Sequence, residues 1–364
     1  MVIKVGTSTL TGGGKKIAPP RLVELARQAS GLQARGCEVI VVSSGAIAAG
    51  REALGHPTLP KYIPAKQMLA AVGQPRLMNL YEQYFSIYGL KVAQVLLTRA
   101  DFADRRRYLN ARNTFEALIS QKIVPIINEN DTLATEEIRF GDNDNLSAQV
   151  ANLIEADLLL LLTDQEGLYT ADPRSDPGAQ LIREVGGEPF SEQLWQAAGG
   201  SSTGLGTGGM LTKLQAADLA RHAGTTVVIA SGSEPDVALR LASGEALGTR
   251  FLPATDKLEG RKRYILSGNR AAGELEVDAG AVRALARGGS LLPAGLVRAS
   301  GDFERGDSVR VLGPGGKVVG LGLSNYPAQD LAQLCGAQSA QIEGILGYTF
   351  GDEVIHRNNF INLG

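Results

Sequence analysis

A three-layer α/β/α sandwich on a mainly parallel sheet, followed by a small, mostly β C-terminal unit, is the fold this 364-residue chain predicts. Three observations carry that expectation: strand-length apolar runs without polar alternation, helical segments between them, and a change of texture after Arg261. A continuous apolar strand must be dry on both faces, and a parallel sheet covered by helices on both sides meets that demand.

The elements follow in order. Val2 to Val5 reads as a buried strand, and Arg21 to Arg35 carries Leu22, Leu25, Ala26, Ala29 and Leu32 at helical spacing behind the Pro19-Pro20 pair. Glu38 to Val42 is a second apolar strand, closing a βαβ unit. It runs into the turn Ser43-Ser44-Gly45 and the small-residue segment AIAAGREAL, which suits a helix packed close to a sheet. Further strands are expected at Val92 to Leu97, Ile123 to Ile127, Leu158 to Leu162 and Thr226 to Ala230. Beyond Arg261, short β-like runs alternate with turns such as Ser-Gly-Asp and Gly-Pro-Gly-Gly. The expected division is a first domain over 1–260, a linker over 261–274 that includes the small-residue stretch Ser267 to Gly273, and a second domain over 275–364.

Composition narrows the function classes. Hydrophobic residues make up 44% of the chain and charged residues 20%, enough apolar surface for a real core. A net charge of -2 removes the global attraction of a dedicated nucleic-acid or membrane-surface binder. The densest basic cluster, Arg99 to Arg107, is interleaved with acids, so it reads as a solvated helix face or a subunit contact before an RNA track. Cys37 and Cys335 suggest neither a disulfide framework nor a zinc site, and fit a reducing cytoplasm. With only His56, His222 and His356, any metal is expected to arrive with a ligand. No signal peptide is read at MVIKVGTSTL, and the longest apolar run falls short of a membrane span.

In parallel α/β sheets ligands bind beyond the carboxyl ends of the strands. Four such ends stand out here. The first strand runs into Lys4-Val5-Gly6-Thr7-Ser8, the second into Ser43-Ser44-Gly45, another into Asn128-Glu129-Asn130-Asp131, and the apolar Leu158 run into Thr163-Asp164. Each alone is more often turn chemistry or a solvated charge. Together they collect a lysine, flexible turns, amides and carboxylates on one rim. Gly141-Asp142-Asn143-Asp144-Asn145 adds polar groups at a helix start. The glycine-rich loop Gly204 to Lys213 ends in a lysine as a helix begins, a shape that can wrap phosphates. Its formal G-x-G-x-x-G is rejected as a dinucleotide fingerprint, because it follows a loop and no acidic residue sits at the right distance on a second strand. No G-x-x-x-x-G-K-[ST] occurs either, so the phosphate site is not a P-loop. The segment from Gly186 to Thr203 matches no motif and is expected to be a mobile lid or connecting loop.

These residues, in this order, resemble the amino-acid kinase family, and within it the members that phosphorylate glutamate. The C-terminal region, with GGSLLPAGL and GDFERGD, resembles a PUA domain. The resemblance implies transfer of the γ-phosphoryl of MgATP to the side-chain carboxylate of L-glutamate, giving γ-glutamyl phosphate for proline synthesis. It implies Lys4 and Lys213 on the transferring phosphoryl, with Asp144 orienting both ammonium groups. Ser44, Asn128, Asp131 and Asn143 match the glutamate positions. Lys4, Gly6, Thr7 and Ser8 would line the phosphate path. Thr163 and Asp164, with Thr207, Gly208, Gly209, Met210, Leu211, Thr212 and Lys213, would bind the nucleotide. Mg2+ would be held largely by ATP and water. Proline feedback and a homo-oligomer are further implications. A relative acting on another carboxylate, and an RNA-binding protein, are the competing readings.

Overall fold

The computed structural model describes residues 1–60, 62–134, 143–186, 189–199, 209–254 and 271–363, and the chain divides into two compact units, Met1–Phe102 with Arg112–Lys257 and Ala103–Ala111 with Leu258–Gly364. The expected linker lies largely outside the described residues.

In chain order the first part contains β1 (Val2–Val5), α1 (Thr7–Thr11), α2 (Pro19–Ala34), β2 (Ile40–Ser43), α3 (Ala46–Ala53) and α4 (Ile63–Ser86). It continues with β3 (Val92–Leu97), α5 (Arg99–Ala103), α6 (Arg105–Ser120), β4 (Val124–Glu129), α7 (Asn143–Leu153) and β5 (Leu158–Thr163). The remainder is β6 (Glu184–Val185), α8 (Glu192–Gly199), α9 (Met210–Arg221), β7 (Thr226–Ser231), α10 (Val237–Ala242) and β8 (Thr249–Phe251). The strands form one sheet in the order β3-β4-β2-β1-β5-β7-β8-β6, parallel except for the β7–β8 pair. Most of its central strands are buried along almost their whole length, which is why their sequences lack alternation.

Strand alternation sends Ile3 and Val5 into a core shared with Leu22, Ala26 and Leu32 of α2 and Leu77, Tyr81 and Phe85 of α4. Lys4 therefore projects to the other face, where α7 packs on β1 and β5 and against α9. A lysine in a central strand is tolerated only because that face carries its counter-charge.

Three expectations are corrected in detail. The Gly6-Thr7-Ser8 turn closes into the short helix α1, with Gly6 as its N-cap. The small residues of α3 serve close approach to α4 instead of the sheet: a Cβ on Gly50 would stand 1.9 Å from the Leu69 carbonyl oxygen, and one on Gly73 1.8 Å from that of Ala46. The long helix α4 itself carries no clean apolar stripe, with Pro75 in its interior, and was not read from sequence. Within the unassigned stretch from Gly186, residues 192–199 form α8; residues 187–188 and 200–203 lie outside the described residues.

The second unit has the sheet order β10-β9-β11-β12-β13, from β9 (Gly273–Val277), β10 (Leu296–Gly301), β11 (Ser308–Leu312), β12 (Val318–Leu323) and β13 (Phe360–Asn362). Helices α11 (Ala279–Ala286), α12 (Ala328–Leu334) and α13 (Ile342–Leu346) accompany it, around a core that includes Leu275, Val309, Val311, Tyr326 and Leu331. The α11 N-terminus is capped by Asp278, which accepts from the Ala281 N–H at 2.7 Å. Within this unit Arg106 of the basic cluster pairs with Glu304 at 3.2 Å, and both side chains stay exposed, as a solvated face requires.

Among the described residues no helix is long and apolar enough to cross a membrane.

Candidate active site

Three ionised side chains from distant parts of the sequence meet behind the carboxyl ends of β1 and β5. Lys4 Nζ lies 2.7 Å from Asp144 Oδ1, and Lys213 Nζ lies 3.3 Å from Asp144 Oδ2. The three are 4%, 1% and 4% exposed for Lys4, Asp144 and Lys213, so nearly all their hydration is lost. Burial disfavours an ionised Asp144, but the Lys4 and Lys213 charges, with hydrogen bonds from Lys4 and Thr212, overcome it and hold the carboxyl below its ordinary value. Burial, with the Lys4 charge beside it, lowers the pKa of Lys213 in spite of Asp144. Two buried cations against one buried anion leave an excess positive charge that a fold tolerates poorly unless an anion is to be bound there. Gly6 adjoins this cluster: a Cβ there would stand in ordinary contact with Lys4 Nζ, at 3.4 Å.

One residue earlier on α7, Asn143 belongs to a different cluster. Its Nδ2 shares two hydrogens among three acceptors, Ser44 Oγ at 2.9 Å, Asn128 Oδ1 at 3.0 Å and the Ser43 carbonyl at 3.1 Å. Asn128 Nδ2 in turn donates to Gln74 Oε1 at 2.9 Å, and Gln74 Nε2 to Gln94 Oε1 at 3.1 Å. Ser43 Oγ shares a 2.8 Å hydrogen bond with the buried Tyr81 hydroxyl, which fixes the end of β2 from the α4 side. The backbone reaches this geometry through Gly45, whose φ of 106° turns the chain sharply into α3.

Asp131 lies at the Gln74–Gln94 end of that amide cluster. It lines a cavity of about 260 Å3 with Gln74, Gln94 and the apolar Ala70, Ala71 and Leu96. Burial pushes its carboxyl up to about 6, against the pull of Lys66. A second cavity, about 880 Å3, is lined by Thr163, Asp164, Tyr169, Arg174, Gly209 and Met210 among others. Thr163 Oγ1 donates to Asp164 Oδ1 at 3.0 Å at its edge.

The structure thus brings Lys4, Asp144 and Lys213 together, joins Ser44, Asn128 and Asn143, and gathers Thr163, Asp164, Gly209 and Met210 around one cavity. Thr7 and Ser8 are exposed at the start of α1, beside Gly6. Leu211 is turned toward α8, close enough that a Cβ on Gly199 would meet its Cβ at 3.0 Å. Thr212 donates to Asp144 Oδ2 at 2.7 Å. Thr207 and Gly208 lie outside the described residues. Gln74, Gln94 and Tyr81 were missed, and only folding reveals them: each sits mid-element, away from any turn or glycine-rich signal.

Among the described residues no group of three His, Cys, Asp or Glu side chains is placed to hold a metal ion, and both Asp144 oxygens face ammonium groups. That arrangement fits an ion carried in by phosphates and water.

The amino acid kinase family model matches residues 1–231, and a PUA domain model matches residues 273–346. A protein named glutamate 5-kinase from Shewanella amazonensis is 56% identical over 100% of this chain and 96% of its own length. The glutamate 5-kinase of Vibrio campbellii is 55% identical over 99% and 95%, and that of Deinococcus radiodurans 53% identical over 100% and 99%.

Proposed function

The chain belongs to the amino acid kinase family, and on that premise we propose that it transfers the γ-phosphoryl group of ATP to the side-chain carboxylate of L-glutamate, yielding γ-glutamyl phosphate, the first step of proline biosynthesis. The observation that carries the reading is the buried Lys4–Asp144–Lys213 arrangement, with the acceptor-side amide Asn143 one residue from the phosphate-side Asp144.

The acceptor is a carboxylate, ionised at neutral pH, so no general base is needed. What remains is alignment and neutralisation of charge on the transferring group. Lys4 and Lys213 contact that group from two sides, and Asp144 holds the two ammonium groups at a fixed separation. Both lysines arrive desolvated, which strengthens their interaction with the phosphoryl oxygens. Ser44, Asn143 and Asp131 hold the amino acid, Asp131 through the α-ammonium, while Asn128 braces Asn143. The cavity at Thr163, Asp164, Gly209 and Met210 takes the nucleotide. Magnesium, bound with ATP, supplies further charge neutralisation on the phosphates.

The same family reading includes MgATP as donor, proline as feedback inhibitor, self-association and a cytoplasmic location. RNA binding is assigned no role in it, and a salt-dependent RNA affinity lost on removing the second unit would reopen that alternative.

The test is ATP-dependent hydroxamate formation in hydroxylamine, with glutamate, aspartate, N-acetylglutamate or no amino acid, alongside ADP release. Signal confined to glutamate is the expected result. Signal with another acceptor, or none, would discard the named substrate.

A further inference from the structure

Four amides form one directional hydrogen-bond chain that ends on Ser44, and its polarity is fixed by two backbone groups, the Glu129 N–H and the Ser43 carbonyl. The backbone N–H of Glu129 donates to Asn128 Oδ1 at 2.9 Å. An N–H can only donate, so this end of Asn128 must be its oxygen and the other end its NH2. Asn128 Nδ2 therefore meets an acceptor, Gln74 Oε1, and Gln74 is left to donate through Nε2 to Gln94 Oε1. On the opposite side Asn128 Oδ1 accepts from Asn143, whose Nδ2 also donates to the Ser43 carbonyl, a group that can only accept. Every amide is thus readable in one sense only.

The consequence falls on Ser44. Its oxygen receives a hydrogen from Asn143 Nδ2, so its own hydrogen is directed elsewhere, and among the described residues it has no acceptor. A hydroxyl set in this way keeps its hydrogen to donate, which suits a carboxylate of the acceptor amino acid.

Gln74 is the link in this chain that comes from α4, outside every motif of the strand-end rim. It is 9% exposed. We propose that Gln74 is a positioning residue of the acceptor site: by accepting from Asn128 Nδ2 it locks that amide and, through Asn143, keeps the Ser44 hydroxyl pointed as a donor. This inference rests on the glutamate-phosphorylating reading given above. Without the Gln74 oxygen, Asn128 Nδ2 is a buried donor lacking a partner; the Glu129 N–H forbids the amide to turn over, so Asn128 shifts toward another acceptor and displaces the Oδ1 on which Asn143 is seated.

The alternative is that Gln74 merely fills space beside the cavity. A double-mutant cycle separates the two, because a residue that acts through Ser44 loses its effect once Ser44 is gone. Steady-state kinetics are measured on the full chain carrying Gln74→Met, and in parallel Gln74→Leu so that misfolding of one variant does not end the test, each alone and combined with Ser44→Ala. Loss of one buried hydrogen bond predicts a rise of about tenfold in KM for glutamate, with KM for ATP and kcat held within about twofold. In the Ser44→Ala background the same substitution is expected to add less than about twofold. A full tenfold effect in both backgrounds, equal rises in both KM values, or no change overturns the inference while the parent chain still phosphorylates glutamate. No glutamate-dependent turnover by the parent chain overturns the proposed function and this inference together.

Discussion

The hydroxyl of Thr212 donates to Asp144 Oδ2, the same oxygen that Lys213 Nζ approaches at 3.3 Å. Adjacent residues on the first turn of α9 thus converge on one carboxylate oxygen, one as a neutral donor and one as a charge. This gives Thr212 a task distinct from nucleotide contact. Thr212→Val is expected to lower kcat about tenfold, the worth of one hydrogen bond to a charged group, with little change in KM for ATP. A dominant rise in KM for ATP would return Thr212 to the nucleotide.

Lys213 carries a heavier load. Lys213→Ala is expected to lower kcat by about a thousandfold or more while the thermal transition stays near the parent value, since Asp144 keeps Lys4 at 2.7 Å. Because burial lowers the Lys213 pKa, kcat of the parent should begin to fall, as pH rises, before a free lysine would titrate. A kcat flat up to the titration of an ordinary lysine would remove Lys213 from the chemistry.

Asp131 makes two linked predictions. Its carboxyl, raised to about 6 by burial, is protonated below that pH in the free protein, so KM for glutamate should climb as pH falls through about 6. Asp131→Asn should raise KM for glutamate more than KM for ATP and flatten that pH dependence. The stability sign is opposite to that of a paired aspartate. A pKa raised on folding favours the protonated form, so the contribution of Asp131 to stability is greatest below the unfolded value and is lost as pH rises through about 6. Asp131→Asn should therefore melt higher than the parent at pH 8, and a lower melting temperature there would contradict the burial argument.

The α3–α4 contact supplies a stability test away from the chemistry. Gly50→Ala places a Cβ 1.9 Å from the Leu69 carbonyl oxygen, so the helices must separate. Urea denaturation should register a loss of about 2–3 kcal/mol or more, and a loss under about 0.5 kcal/mol would mean that the helices part without cost. Because Gln74 follows Gly73, whose own Cβ would meet the Ala46 carbonyl at 1.8 Å, such a shift should also raise KM for glutamate.

Sequence alone determined the layered architecture, because a strand buried on both faces has no freedom to alternate polar residues, and the runs at β1, β4, β5 and β7 record that directly. It also placed Lys4, Ser44, Asn128 and Thr163 on a common rim, since parallel strands deliver their carboxyl ends to one side. Only the tertiary structure decided which of them touch. Lys4, Asp144 and Lys213 are far apart in the chain, and their pairing depends on α7 and α9 packing on the face to which Lys4 projects. Gln74 was invisible for the same reason. A glutamine inside a helix has no local signature of its partner, and its role arises only where α4, β3 and β4 bring three amides within hydrogen-bond reach. Periodicity encodes which face of an element is dry, whereas the identity of the group waiting across that face is fixed by packing between segments that the sequence keeps apart.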